Sequence, residues 1–240
     1  MTERDICEPL VNWKPPRWPD APVLEGAFAR LERLEAGQHA AALFKANAQD
    51  DAIWRFLAYG PFESPESYET WVRSTVGLTD TCFYAIRSKE TGVLGGVASF
   101  LRINPEHGVI EVGHICLSST LQKSRAATEA IFLMMKWAFD AGYRRFEWKC
   151  DAANMPSRRA AQRFGFSYEG TFRQSSVVKG RNRDTAWFAI IDKEWPSLER
   201  TFNSWFQIEN FDDAGRQYNR LSDLTAGVRV ADDPGLETSG

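Results

Sequence analysis

The chain has 240 residues, of which 43% are hydrophobic and 13% aromatic, enough for one large domain with its own core. A formal net charge of −3 speaks against a nucleic-acid surface, and no apolar run of about 18 residues offers to cross a membrane. Cys7, Cys82, Cys116 and Cys150 lie too far apart for a metal-binding spacing and read as small buried residues of a reducing cytoplasm.

The start of the chain carries acids and prolines and no apolar signal region, so a cytoplasmic protein is expected. Residues 1–22, with Trp13, Pro15, Pro16, Trp18, Pro19 and Pro22, read as an irregular arm laid on the domain, because tryptophans avoid a solvated tail. The domain itself is expected over 23–192. Ala27 to Leu34 alternates as a first strand, and His39–Asn47 and Ala52–Leu57 are helical pieces. After the Tyr59-Gly60-Pro61-Phe62 turn, Ser64 starts a helix that reaches Val76 with Pro65 at its first position. Cys82–Ile86 and Val93–Ile103 are strands joined through Thr91-Gly92.

Gly108 to Leu117 is then a buried strand of β-branched and apolar residues, followed by the polar turn Ser118-Ser119-Thr120. A long helix opens at Gln122 and sets Ile131, Met134, Trp137 and Ala138 on one face. A strand that ends where a helix begins offers free backbone N–H groups and a positive dipole end, suited to an anion such as a pyrophosphate. Arg144–Cys150 is a further strand, Asp151–Ser157 a turn, and Arg158–Phe164 a short helix stopped by Gly165. Thr171–Lys179 and Asp184–Asp192 form a last hairpin, and Glu194–Gln207 a last helix. Residues 193–221 are a helical extension, and 222–240 a polar tail expected to be loose.

Four motifs in order carry a resemblance: Glu111-Val112-Gly113 in the strand, Ala127-Thr128-Glu129-Ala130 in the helix, Asn154-x-x-Ser157, and Phe164-Gly165-Phe166-x-x-Glu169-Gly170. The series resembles the GNAT superfamily of acyl-CoA N-acyltransferases, most closely its RimJ/RimL-type branch. The resemblance implies an α+β fold, a mostly antiparallel mixed sheet flanked by helices. It implies acetyl-CoA as co-substrate, no metal, and direct transfer to an amine acceptor, either a small molecule or a protein N-terminus. No covalent enzyme intermediate is implied, so Cys116 is not a nucleophile.

In this family acyl-CoA lies where two central strands splay. Residue by residue, Ile115, Cys116 and Leu117 are then its strand contacts, and Gln122, Lys123, Ser124, Arg125, Ala126, Ala127 and Thr128 its phosphate cradle. The family pattern Gln/Arg-x-x-Gly-x-Gly/Ala is kept at Gln122 and Ala127, but Arg125 replaces the first glycine. Asn154 is expected on the pantetheine arm and Ser157 beside the thiol, as a donor to the leaving thiolate or as a helix N-cap. The tyrosine that many members place four residues before the glycine is Ala161 here, so that route is closed.

Glu111 is the general-base candidate. A lysine-like amine with pKa about 10.4 is almost wholly protonated at neutral pH, and a carboxylate in an apolar strand is costly without a purpose. The other reading of Glu111 is a solvent-facing strand residue. Strand alternation sets His114 on the opposite face unless a bulge intervenes. Lys179-Gly180-Arg181-Asn182-Arg183 reads as a solvated turn or a ligand grip, and Arg158 and Arg159 as helix surface or phosphate contacts. Trp54, Phe56, Tyr59 and Phe62 line an acceptor pocket or belong to the core. Arg125 and the missing tyrosine also leave open a non-catalytic CoA-binding or interaction module. The tryptophan-rich flanks are compatible with a homodimer; neither nucleic acid nor membrane is expected as a partner.

Overall fold

Alternating burial along the strands builds one sheet with two different faces. The computed structural model describes residues 9–237; Cys7 lies outside them. Strands β1 (Val23–Glu25), β2 (Ala29–Arg33), β3 (Thr81–Ser88), β4 (Leu94–Asn104) and β5 (Val109–Leu117) form an antiparallel run. Strands β6 (Arg145–Asp151), β7 (Ser167–Val178) and β8 (Arg181–Ile191) complete the order β1-β2-β3-β4-β5-β6-β8-β7. Among the described residues only β5 and β6 run parallel, joined by helix α3 (Arg125–Asp140). The α+β class and mostly antiparallel mixed sheet are as the sequence leads one to expect.

One face of the sheet packs on α3, on α4 (Met155–Arg163) and on α5 (Trp195–Trp205), around Tyr84, Phe100, Ile110, Phe146 and Phe188. The other face is covered over β3–β5 only, by α1 (Ala36–Asn47) and α2 (Pro65–Thr75), around Leu43, Trp54, Tyr68, Val72 and Phe83. The segment Ala52–Leu57, expected as helix, is a 3-10 turn over Asp51–Trp54. Helix α2 begins as read. Ser64 and Ser67 cap each other reciprocally, with Pro65 where its missing N–H is no loss.

Helix α4 starts three residues earlier than expected. Asn154 is its N-cap, accepting from Ser157 N at 3.2 Å, and Pro156 is tolerated in the first turn. Ser157 is therefore not the cap. The described part of the arm lies on the α3 face: Tyr84 Oη donates to Ala21 O at 2.8 Å, and Tyr143 Oη to Arg17 O at 3.2 Å. Trp13 packs where a Cβ on Gly108 would come within 2.4 Å of its ring, so that residue must be glycine.

Through its described residues the tail is not loose. Helices α6 (Leu221–Thr225) and α7 (Pro234–Glu237) bracket a docked segment in which Asp233 is fully buried. Its polarity is spent on internal partners, which composition alone does not reveal. The aromatic stripe of α5 is core: Trp195 stacks on Phe139 and Phe202 on Phe132.

Candidate active site

Two central strands part where their register ends. β5 and β6 pair over four residues, from Val109↔Arg145 to Val112↔Trp148. Beyond that point β5 follows β4, through Cys116↔Val97 and Leu117↔Gly96, while β6 follows β8, through Lys149↔Trp187 to Asp151↔Thr185. The facing edges of Gly113–Leu117 and Lys149–Asp151 have no strand between them, and Ile115, Cys116 and Leu117 lie on one of these edges. Cys116 is buried, and burial pushes its thiol up to about 12. A thiolate is unavailable there at neutral pH.

A bulge brings His114 round. Ala98 of β4 spans two residues of β5, the register shifts between Val97 and Ser99, and His114 adopts φ +51°. The intervening-bulge case is the one realised, so His114 shares the face of Glu111. Its ring lies 4.8 Å from Phe83 and 5.6 Å from Tyr59, centroid to centroid. Burial holds its pKa down at about 4, so the imidazole is neutral at physiological pH.

Glu111 is 2% exposed and points to the same face. Arg102 Nη1 donates to its Oε1 at 2.7 Å. Lys149 Nζ lies 3.0 Å from Oε2 but off the line of a hydrogen bond, so that buried oxygen has a countercharge and no donor. The solvent-facing reading of Glu111 is thus set aside. Burial raises its pKa, with Lys149 and Arg102 opposing. Lys149 Nζ is also 2.7 Å from Glu147 Oε2 and 3.7 Å from the centre of the Trp187 ring. Burial would raise Glu147 too, but bonds from Lys149 and Arg145 hold it below the usual range. Two carboxylates that share one ammonium are therefore pushed apart in pKa, the pattern that separates a base from a fixed charge. The sequence reading missed Lys149, Arg102 and Trp187; only the charged alternation Arg145-x-Glu147-x-Lys149 hinted at them.

The turn before α3 is the second half of the site. Lys123 takes φ +59°, and Ser124 caps the helix, its Oγ accepting from Ala127 N at 3.0 Å. Thr128 N donates to Ser124 O at 3.2 Å, and its hydroxyl bonds Ser124 O and Arg163. Ala127 and Thr128 are thus satisfied inside the protein. Among the described residues, no protein acceptor meets the N–H groups of Lys123, Arg125 or Ala126. These three donors at a helix start suit a phosphate. Gln122 Nε2 donates to Leu117 O at 2.9 Å, holding the turn against the strand end. The Arg125 side chain pairs with Glu90 and stacks on Phe28 at 4.7 Å and Phe211 at 5.0 Å; only its backbone serves the turn.

Asn154 and Ser157 stand at the end of β6. Ser157 Oγ accepts from Trp148 Nε1 at 3.0 Å, which leaves its proton free to be donated. Arg158 is buried on Asp233, and Arg159 is exposed. Of the basic loop, Lys179 Nζ donates to Trp54 O at 2.9 Å, so the hairpin turn reaches across the open face to the α1–α2 connection. Trp54, Tyr59 and Phe62 pack on one another and on Tyr68 and Trp71 as one aromatic cluster beside His114. Among the described residues, no group of three or more His, Cys, Asp or Glu is placed to hold a metal, and no helix is long and apolar enough to cross a membrane.

Comparison with known proteins agrees with this architecture. The model of the Acetyltransferase (GNAT) domain matches residues 30–167. A curated relative, "Uncharacterized N-acetyltransferase p20" of Bacillus licheniformis, is 28% identical over 113 residues; the match spans 47% of this chain and 63% of the relative. The crystal structure of a GCN5-related N-acetyltransferase from Brucella melitensis is 43% identical, with a TM-score of 0.88 over 90% of this chain and 100% of that one. An acetyl transferase of Salmonella typhimurium that modifies the N-terminal serine of ribosomal protein L7/L12 shares the fold alone, at 23% identity and TM-score 0.62, over 70% of this chain and 98% of that one. Matched by the family model over more than half its length, the chain belongs to the GNAT acetyltransferase family.

Proposed function

We propose that the protein moves an acetyl group from acetyl-CoA to a primary amine by direct attack, without a covalent enzyme intermediate. The observation that carries this reading is the parting of β5 and β6 after four pairs, with the free N–H groups of Lys123, Arg125 and Ala126 at its mouth. When bound, acetyl-CoA supplies an activated thioester. The chain's own residues do the rest. The edge of β5 at Ile115–Leu117 holds the pantetheine, and the α3 turn holds the pyrophosphate.

Glu111 takes the proton of the incoming amine, directly or through one water, on its undonated Oε2. Burial raises its pKa, which makes it a better base than an exposed carboxylate, and Lys149 and Arg102 oppose that rise by favouring the charged form. The Ser157 hydroxyl donates toward the departing thiolate, taking over from the tyrosine that Ala161 replaces. Neutral His114 and the aromatic cluster form the apolar wall of the acceptor side.

The acceptor class extends to small-molecule amines and protein N-termini, and the setting to the cytoplasm. A homodimer keeps as support the exposed Phe172 and Val177 of edge strand β7, not the tryptophans of α5, which are core. Calorimetry with acetyl-CoA, followed by thiol release with a panel of amines, tests the reading. Micromolar binding with amine-dependent thiol release supports it. Binding without turnover on any amine or N-terminal peptide would leave a non-catalytic module, and no binding would remove both.

A further inference from the structure

The chain beyond α5 is sewn to one place, helix α4 and the strand that follows it. Thr225 Oγ1 donates to Arg163 O at 3.2 Å, and Arg229 Nη1 to Gln162 O at 3.2 Å. Val230 N donates to Ser167 Oγ at 2.9 Å, Tyr168 N to Ala231 O at 3.0 Å, and Asp233 N to Gln162 Oε1 at 2.9 Å. All of these residues but Gln162, Arg163 and Ser167 lie outside the stretch that matches the family domain.

The deepest of these contacts reaches the candidate site. Asp233 is fully buried, and Arg158 Nε donates to its Oδ2 at 2.6 Å, with Nη2 on the other oxygen. The third nitrogen of the same guanidinium, Nη1, donates to Ala152 O at 2.8 Å. Ala152 sits in the loop between β6 and α4, two residues before Asn154. Its N–H is held from the other side by Asp184 O at 2.8 Å. A Cβ on Gly235 would fall 2.5 Å from Arg158 Nη2, so any larger residue there would force the guanidinium to shift.

We propose that Asp233 is a positioning residue: through Arg158 it fixes the Ala152–Asn154 loop, and with it the placement of Asn154 and Ser157 toward the co-substrate. The proposal rests on the acetyl-CoA reading given above. The mechanism is one of charge. Arg158 is buried and needs a countercharge, and Asp233 supplies both acceptor oxygens in a planar bidentate pair. Held so, its Nη1 has one orientation left, toward Ala152 O. Without the carboxylate the guanidinium turns to solvent, and the loop carbonyl loses its donor. The caps of α4 are untouched by this, since Asn154 and Ser157 bond each other. The consequence falls on the loop rather than on helix formation.

The test uses the full chain with Asp233→Asn and Asp233→Ala. Acetyl-CoA dissociation is measured by calorimetry well below each variant's Tm, followed by KM for both substrates. The expected result is a rise of about tenfold in Kd and KM for acetyl-CoA in the alanine variant and a smaller rise in the asparagine variant. The acceptor KM stays within about twofold. A Tm that falls while acetyl-CoA affinity stays within about twofold of the unmodified protein would mean a purely structural role and would overturn the proposal. If the alanine variant does not fold, Gly235→Ala crowds Nη2 while keeping the carboxylate, and the same readouts decide. An unmodified protein that binds no acetyl-CoA would overturn the function reading and this proposal with it.

Discussion

At the scale of single residues the site is a question of who holds which proton. With Glu111 as base, Glu111→Gln keeps the shape and the Arg102 contact but cannot accept a proton; kcat falls by about 10²–10⁴. The acidic limb of the pH–rate profile disappears with it. Lys149 opposes the rise of the Glu111 pKa, so Lys149→Met moves that limb to higher pH, measured on kcat/KM from pH 5 to 9. A limb that stays in place would remove Glu111 as its source. His114 makes the opposite kind of claim. Its folded pKa of about 4 lies below its ordinary 6.5, so the unfolded chain binds the proton more tightly between those values. Stability from this group is complete above pH 6.5 and is lost as pH falls toward 4, by on the order of 3 kcal/mol. Urea melts at pH 7 and pH 4.5 should show His114→Phe losing less stability on acidification than the unmodified protein. Glu111 was legible in the sequence because a carboxylate in an apolar strand demands an explanation. The face of His114 was not, because a one-residue bulge leaves no mark in residue type: histidine tolerates a left-handed backbone without announcing it.

At the scale of elements, the sequence is clearest where local chemistry fixes an end. The Ser64–Pro65 start of α2 and the strand-turn-helix from Val109 to Asp140 follow from caps and periodicity. It is least clear where an end is chosen between competing caps, as at α4, where Asn154 wins over Ser157. The start of α3 shows how an element can keep its backbone geometry while a side chain leaves it. Arg125 stands where the family pattern has glycine, yet a helical φ/ψ at the first position accommodates a Cβ, and the guanidinium folds back between Phe28 and Phe211 onto Glu90. On the function proposed above, the phosphate cradle needs only the backbone. Arg125→Glu should therefore cost stability, about 2 kcal/mol from the lost stacking and ion pair and the new repulsion with Glu90. Acetyl-CoA affinity should fall less than tenfold. Loss of binding at unchanged Tm would instead give Arg125 a direct hold on the phosphates.

At the scale of the molecule, both ends of the chain serve as buttresses to the sheet. The arm crosses the α3 face and is held by Tyr84, Tyr143 and Arg33, each bonded to one of its carbonyls. The tail presses on α4. The arm was legible because proline and tryptophan together say extended and covered. The tail was not, because buried polar partners such as Asp233 and Arg158 lie 75 residues apart and only the fold brings them together. Among the described residues no hydrogen bond or ion pair joins arm to tail, which makes their contributions separable. Deleting residues 1–22 removes the hydrogen bonds from Tyr84, Tyr143 and Arg33, worth about 1 kcal/mol each, together with the weaker one from Cys82 Sγ to Pro19 O, and uncovers the rings of Tyr84 and Tyr143. Deleting 221–240 strands the buried Arg158, a loss of about 3–5 kcal/mol before it relaxes to solvent. Each deletion should lower Tm by roughly 10 °C for a chain of this size. In urea melts the double deletion should lose the sum of the two within about 0.5 kcal/mol. Only the tail deletion should weaken acetyl-CoA binding, because only the tail touches the loop that carries Asn154. A double deletion that costs much less than the sum would mean that the two ends stabilise the same cooperative unit through the sheet. An arm deletion that alone abolished acetyl-CoA binding would show that the opening between β5 and β6 is held from the α3 side as well.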